Sequence, residues 1–422
     1  MEIAVPYLRD TVTISVPDER VLGVVEPNDL FADQPAAELI DKALKNPSGD
    51  EDFMSFVQNA KDLLVIVNDQ TRPTPTRMVL QTIAPILEQA EVSFIIATGV
   101  HRGPTEEEYR QIFGDELYDI YRDRIFAHDA RRDEMVYLGT SRAGTEMYVN
   151  RLGVEADRIL VIGSVEPHYF AGYTGGRKGF LPGIASYRTI EQNHKHALQP
   201  QAKALSLEGN PVHEDMIDAL QVVKKSVFAI MTVLDKQHSI YAVTSGDINN
   251  SFFAAIDYAD EIFVAEIEEA ADVVVTTAKY PMDIDLYQSQ KAIDNGKLAL
   301  KDGGILILVA SCRDGIGEEA FVKLLSSSDT PEDTLETIKS QYKLGYHKAG
   351  KMAEVFLRAE VRAVTELPDD LLQSIFIIPE HDLQKAVDDA LEKEGLDAKV
   401  LFLLDGSVTV PRPKTAQRGC CG

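Results

Sequence analysis

Apolar and polar positions follow a βα rhythm along most of this chain. Short β-branched, mostly apolar runs recur at residues 63–67, 92–96, 159–162, 228–231, 272–275, 305–309 and 374–378. Each is bounded by Gly, Pro, Asp or Asn, and charged, helical-looking stretches separate them. Unbroken runs of four to six residues suit strands buried on both faces of a parallel sheet. Between them, 76–90 and 105–113 carry the period of amphipathic helices, and the second opens behind Pro104 with three glutamates in its first turn. Further on, 331–349 and 352–358 read as helices leading to the run at 374–378. The pattern predicts an α/β protein: two α/β domains with mostly parallel sheets and the active site in the cleft between them.

Length supports that division, because 422 residues exceed one domain of roughly 100–200. The acidic stretch 261–269 precedes a new strand and marks the boundary. The expected domains are therefore 1–265, carrying most of the candidate chemistry, and 266–410. Residues 411–422, rich in Pro and Gly, are expected to form a flexible tail.

Charge removes several function classes. With 42 Lys+Arg against 68 Asp+Glu, the formal net charge is −26, and no basic patch interrupts it, so neither nucleic acid nor a membrane surface is an expected partner. No apolar run nears the roughly 20 residues of a membrane span. The three cysteines, Cys312, Cys420 and Cys421, form neither a disulfide framework nor a metal-binding spacing. A cytoplasmic location is the resulting expectation.

Ligands of open parallel sheets sit beyond the carboxyl ends of the strands, and the segments directly after three of the apolar runs are rich in chemistry. After Val67 comes Asn68-Asp69-Gln70-Thr71-Arg72-Pro73. After Ile96 comes Ala97-Thr98-Gly99-Val100-His101-Arg102. After Ile162 comes a segment with Glu166, Pro167 and His168 that leads into Gly172-Tyr173-Thr174-Gly175-Gly176-Arg177-Lys178-Gly179. Two histidines, an Asp/Arg pair and a glycine-flanked lysine would thus meet at one sheet edge. Two histidines on opposite faces of a substrate suit acid–base work near neutral pH. Taken singly, each feature also has a structural use: a histidine can cap a loop, and Asp-x-Thr-Arg-Pro can open a helix.

The glycine segment is not a P-loop. Counting from Gly172, Arg177 stands where the second glycine belongs, and Gly179 replaces the magnesium-binding hydroxyl residue. It leaves a lysine among small neighbours, able to serve as a charge, a base or a covalent attachment point. His194 and His196 are too tightly spaced for a zinc site of their own, so a metal bound there would take its other ligands from elsewhere. In the second half, Gln288 and Lys291 lie three apart, so one helix face carries an amide and an ammonium. That face can clamp a carboxylate or simply meet solvent.

Taken together, Asp69-x-Thr-Arg72-Pro, Thr98-Gly99-x-His101-Arg102, Glu166-Pro167-His168-Tyr169-Phe170-Ala171-Gly172, Gly175-Gly176-Arg177-Lys178-Gly179, Asn193-His194 and Tyr287-Gln288-x-x-Lys291 resemble the nickel-dependent lactate racemase family, in sequence order from about residue 60 to 295. The resemblance implies a racemase of short 2-hydroxy acids, lactate by default, working by reversible hydride transfer. It implies a nickel-pincer nucleotide (pyridinium-3,5-bisthiocarboxylic acid mononucleotide nickel) attached covalently through Lys178, with His194 as the protein ligand to nickel. Soft sulfur donors with one imidazole suit nickel in a tetragonal field. His101 and His168 would be the acid–base pair. Arg72, Tyr287, Gln288 and Lys291 would bind substrate, and Asp69 would orient the Arg72 or histidine side. Asp69, Gln70, Thr71 and Arg72, with Gly175 and Gly176, would also contact the nucleotide. Cofactor-biosynthesis proteins are the implied maturation partners.

Two alternatives stand beside that expectation. Within the family, the substrate could be malate or another 2-hydroxy acid, because the matching residues serve steps common to all of them. In another class, a nickel-independent α/β enzyme would use Lys178 and His168 on a phosphorylated small molecule. A non-catalytic carrier would keep Lys178 and His194 but has no need of the intact pair His101 and His168.

Overall fold

The computed structural model describes residues 1–280 and 282–414. The chain divides into two compact units, one of Asp29–Ile262 and one of Met1–Asn28 with the chain from Phe263 onward. Each is built on a six-stranded sheet with helices, so the α/β expectation holds.

In the unit Asp29–Ile262 the strands lie in the order Ile240–Asp247, Ser226–Leu234, Arg158–Ser164, Leu63–Asn68, Val92–Ala97, Ile125–Ala127. All neighbours are parallel except Ile240–Asp247, which runs antiparallel at one edge. The central strands are apolar throughout because both faces are covered: Leu63, Leu64, Val65, Ile66 and Val67 are all buried, each side chain contributing about 1.5–3 kcal/mol. The helix Thr76–Leu87 covers part of that sheet with Val79, Leu80, Ile83 and Leu87, a stripe at helical spacing. The helix Glu106–Phe113 opens on a capping box in which Thr105 and Glu108 satisfy each other's amides.

The other unit carries the order Ile378–Glu380, Glu360–Val364, Leu300–Val309, Ala271–Thr277, Val400–Leu403, Val21–Val25, parallel throughout. Its edge strand comes from the start of the chain. Val21–Val25 pairs with Val400–Leu403, so residues 1–28, which the pattern assigns to the N-terminal domain, belong to this second unit instead.

Three further expectations are corrected. The run 374–378 is not a strand: helix Asp369–Ser374 ends there, Phe376 turns at φ 65°, and the strand starts only at Ile378. Ile375 and Ile377 are apolar because they are buried beneath that turn. The stretch 331–349 is two helices, Pro331–Ser340 and Tyr346–Phe356: the first ends at Gln341, whose φ of −142° is not helical, and the second opens behind Gly345 at φ 99°. Finally, the start of the expected tail is structured: Val410–Pro413 pairs in parallel with Val264–Ile267, and Lys414 bonds Glu268 at 2.5 Å. Cys420 and Cys421 lie outside the described residues.

Candidate active site

Three adjacent strands of the Asp29–Ile262 sheet, Arg158–Ser164, Leu63–Asn68 and Val92–Ala97, end at one edge. A pocket there is lined by Asn68, Asp69, Arg72, Thr98, Gly99, His101, Ser164, Thr174, Gly175, Lys178, Pro182 and Gly183. Sheet order thus joins the three motifs that are 30 to 100 residues apart in sequence. The strand ends are laced together by Thr74, whose hydroxyl donates to Asn68 Oδ1 at 2.8 Å and lies 2.8 Å from the Ser164 hydroxyl.

Asp69 is the fixed point of the pocket. Its carboxylate is 4% exposed; Oδ2 lies 2.7 Å from His101 Nδ1, and Oδ1 accepts from the Thr71 hydroxyl at 2.7 Å. Burial pushes this carboxyl up, but the bond and charge of His101, the Thr71 hydroxyl and the Arg72 charge together hold it below its ordinary value. Asp69 is therefore ionised, His101 donates to it through Nδ1–H, and Nε2 is left for chemistry. The sequence left Asp69 orienting either Arg72 or a histidine; the geometry selects His101. Arg72 instead meets Glu166, at 3.8 Å. Gln70 lies beside them with a buried Oε1 that has no hydrogen-bond partner within the chain. Arg102 points elsewhere and grips Glu108 with two bonds of 2.7 and 2.6 Å, tying the histidine loop to the next helix.

The segment after Ser164 folds back as a short hairpin, His168 opposite Gly172, and then a 3-10 turn, Gly176–Gly179. Gly175 has φ +82°, and a Cβ there would stand 2.7 Å from Val165 Cγ2 and 2.9 Å from the Ser164 carbonyl, so only glycine fits. Gly176 is placed differently from its neighbour: its amide faces Met231 Sδ at 3.2 Å, and it does not line the pocket, whereas Gly175 does. Arg177 is 1% exposed, donates to the carbonyls of Ala171, Thr174 and Gly175, and lies over the Phe252 ring. Its Nε has no partner and desolvation lowers its pKa to about 9. A buried guanidinium is an expensive fastening, and here it draws three loop carbonyls inward while the next residue, Lys178, lines the pocket.

Phe170 joins the remaining groups. Its buried ring lies 4.6 Å from the His168 ring, 5.2 Å from the His194 ring and 5.7 Å from Lys178 Nζ. His168 Nδ1 accepts the Ala171 amide at 3.3 Å, which leaves the ring proton of the neutral form on Nε2. His194 ends the helix Tyr187–Lys195, capped by Ser186. Desolvation, with the charges of Lys178 and His101 adding, pushes its pKa down to about 3, so it is a neutral imidazole. Its neighbour Asn193 bonds the buried Asp215, which also takes the hydroxyls of Ser141 and Thr145. That network pins the helix that carries His194. His196, by contrast, is set outside this cluster and bonds Gln199.

The sequence missed Phe170 and Arg177 as working parts, although both stand inside the quoted motifs. Their signal was a large or charged residue among glycines. That pattern shows proximity to a loop but not burial beneath it.

In the other unit, Asp285 caps the helix Leu286–Gly296 by accepting the Gln288 amide at 2.7 Å. Leu286, Ser289, Gln290 and residues 292–296 are buried, while Tyr287, Gln288 and Lys291 stay partly open. The expected common face of Gln288 and Lys291 is present.

An open, mostly parallel sheet with a carboxylate-bound histidine in a pocket at its carboxyl edge is the layout of an α/β enzyme. Comparison with known proteins carries the identification further. Residues 7–205 match the lactate racemase N-terminal domain and residues 266–410 the lactate racemase C-terminal domain. The lactate racemase of Thermoanaerobacterium thermosaccharolyticum is 32% identical, across 98% of this chain and 99% of that protein. That of Lactiplantibacillus plantarum is 31% identical, across 96% and 98%. The solved lactate racemase apoprotein from T. thermosaccharolyticum superposes with a TM-score of 0.90 over 98% of this chain and 100% of that one. A Thermotoga maritima protein, 18% identical with a TM-score of 0.65, shares the fold. The chain belongs to the lactate racemase family, a family of racemase enzymes. Among the described residues, no helix is long and apolar enough to cross a membrane.

Proposed function

We propose that this protein interconverts the enantiomers of a short 2-hydroxy acid, lactate by default, using a nickel-pincer nucleotide held by Lys178 and His194. The observation that carries this reading is the Asp69–His101 pair, 2.7 Å apart, in the wall of a pocket that also holds Lys178. The residues fit the group. Among the described residues no cluster of three or more His, Cys, Asp or Glu could hold a metal, so a metal on His194 needs ligands that a cofactor brings. His194 is neutral, as an imidazole ligand must be. When bound, the group supplies a place to take up the α-hydrogen as hydride and return it, so that the substrate passes through a flat 2-keto acid.

The chain's residues do the rest. Arg72 meets the substrate carboxylate, and Tyr287, Gln288 and Lys291 are proposed to share that task. His101 takes the hydroxyl proton on Nε2, because Nδ1–H is committed to Asp69 and the carboxylate stabilises the imidazolium that forms. His168, protonated on both ring nitrogens, would give its Nε2 proton to the keto oxygen and return to the neutral ring whose Nδ1 accepts the Ala171 amide. One turnover in either direction therefore uses one histidine as base and the other as acid. The cytoplasm is the proposed compartment, where thiols such as the buried Cys312 stay reduced.

A chiral assay tests the reading directly: holoenzyme made with the cofactor pathway and nickel is offered lactate, malate and a longer 2-hydroxy acid. Racemisation of one of them is expected, with a primary isotope effect on α-deuterated substrate and retention of most of the label. Extensive exchange with solvent would mean proton abstraction and would overturn hydride transfer. The pair itself is checked by Asp69→Asn, which should lower kcat/KM about 100-fold, the lower end of what a positioned base contributes. Because the equilibrium constant between enantiomers is one, the loss must be equal in both directions.

A further inference from the structure

Beneath the helix Leu286–Gly296 lies a basic side chain that the chemistry above does not use. Lys348, on the helix Tyr346–Phe356, is 5% exposed. Its Nζ donates to the Tyr287 carbonyl at 2.7 Å and sits 3.5 Å from the centre of the Tyr287 ring. The same two helices are joined a second time, where Gln290 Nε2 donates to the Lys348 carbonyl at 3.0 Å. The Gly317 backbone approaches Tyr287 so closely that a Cβ there would stand 2.8 Å from Tyr287 Cβ. Lys348 thus holds Tyr287 through both its carbonyl and its ring.

The placement of the ammonium is electrostatically adverse. It lies against the first turn of a helix, where the backbone dipole is already positive. Burial, with the charge of Lys291 adding and Asp294 and Asp285 opposing, pushes it down to about 7. Holding Tyr287 by the apolar packing used elsewhere in this core would avoid that cost. What a lysine adds is a directional bond to the carbonyl of the residue that precedes Gln288.

We propose that Lys348 is a positioning residue for the substrate carboxylate: it fixes the first turn of the helix through Tyr287 and thereby sets the reach of Gln288 and Lys291. This rests on the reading that those two residues hold the carboxylate. Lys348 itself does not touch substrate.

The test is steady-state kinetics of the holoenzyme with Lys348→Met, Lys348→Gln, Lys348→Arg and Lys291→Met, each checked for its Tm. Lys348→Met should raise KM about tenfold with kcat within about threefold, the split expected when ground-state and transition-state binding fall together. Lys348→Gln keeps a donor for the Tyr287 carbonyl and should lie between it and the parent, and Lys348→Arg should lie closest to the parent. The double variant with Lys291→Met should lose less than the two singly, since both act on one contact. Lower Tm with unchanged KM across the Lys348 variants would make the residue merely structural and overturn the proposal. An unchanged KM in Lys291→Met would overturn the carboxylate reading itself, whereas a raised KM there with none in the Lys348 variants would sink only the role of Lys348.

Discussion

Lys178→Ala should yield a folded protein that carries no nucleotide adduct and shows no racemisation above background. The side chain lines the pocket and reaches the neighbourhood of Phe170, with Nζ 5.7 Å from that ring. The fold around it does not depend on its ammonium, because the turn is held by Arg177 on three carbonyls and by the Lys178 amide, which donates to the Gly175 carbonyl at 3.1 Å. Removing a partly exposed side chain from such a turn should shift stability by about 1 kcal/mol or less, while a covalent link has no substitute. Intact mass of protein co-produced with the cofactor pathway reads the adduct, and the chiral assay reads the activity. Lys178→Arg is the sharper control: it keeps the positive charge but not the nucleophilic amine, and should equally lack the adduct. An active Lys178→Ala enzyme would sink the attachment. Parent protein that also lacks an adduct would favour the nickel-independent reading.

Much of the fold was legible because a parallel sheet covered on both faces leaves an unambiguous trace. Runs such as 63–67 and 159–162 are apolar at every position, as strands buried on both faces of a parallel sheet are. What escaped were elements whose sequence serves two constraints at once. The run 374–378 is apolar because Ile375 and Ile377 are buried, yet its backbone turns at Phe376. Val21–Val25 is short and interrupted by Gly23, as an edge strand tolerates, and its partner lies almost four hundred residues away. No local pattern reports a pairing of that separation, so residues 1–28 were placed with the wrong neighbours.

The site divides along a similar line. Its chemistry-bearing groups were legible, since a parallel sheet brings the loops at its strand ends to one edge, and Asp69, Arg72, His101, Gly175 and Lys178 do line one pocket. The couplings among them were not. That Asp69 serves His101, that Arg72 meets Glu166, and that Phe170 touches His168 and His194 are side-chain facts set by rotamer and burial. The Gly175-Gly176 pair shows the difference most plainly. Two identical residues stand side by side, and only one reaches the pocket, because the next amide is turned toward Met231.

His101→Ala and His168→Ala should each lower kcat at least about 100-fold, and the two losses should differ in their response to Asp69. A positioned acid or base contributes about 10²–10⁴ in rate, and the proposed mechanism uses both histidines in every turnover. Their hydrogen bonds are not equivalent. His101 Nδ1 lies 2.7 Å from the Asp69 carboxylate, whereas His168 Nδ1 accepts a backbone amide at 3.3 Å. Adding Asp69→Asn to His101→Ala should cost little more, because the carboxylate acts through that ring; adding it to His168→Ala should multiply the losses. The equality of kcat/KM for the two enantiomers survives every variant, so the asymmetry has to appear as opposite changes in kcat and KM between directions. Full progress curves from each pure enantiomer measure it. A near-normal rate in either alanine variant removes that histidine from the mechanism, and identical coupling of Asp69 to both would show that the carboxylate does not act through His101.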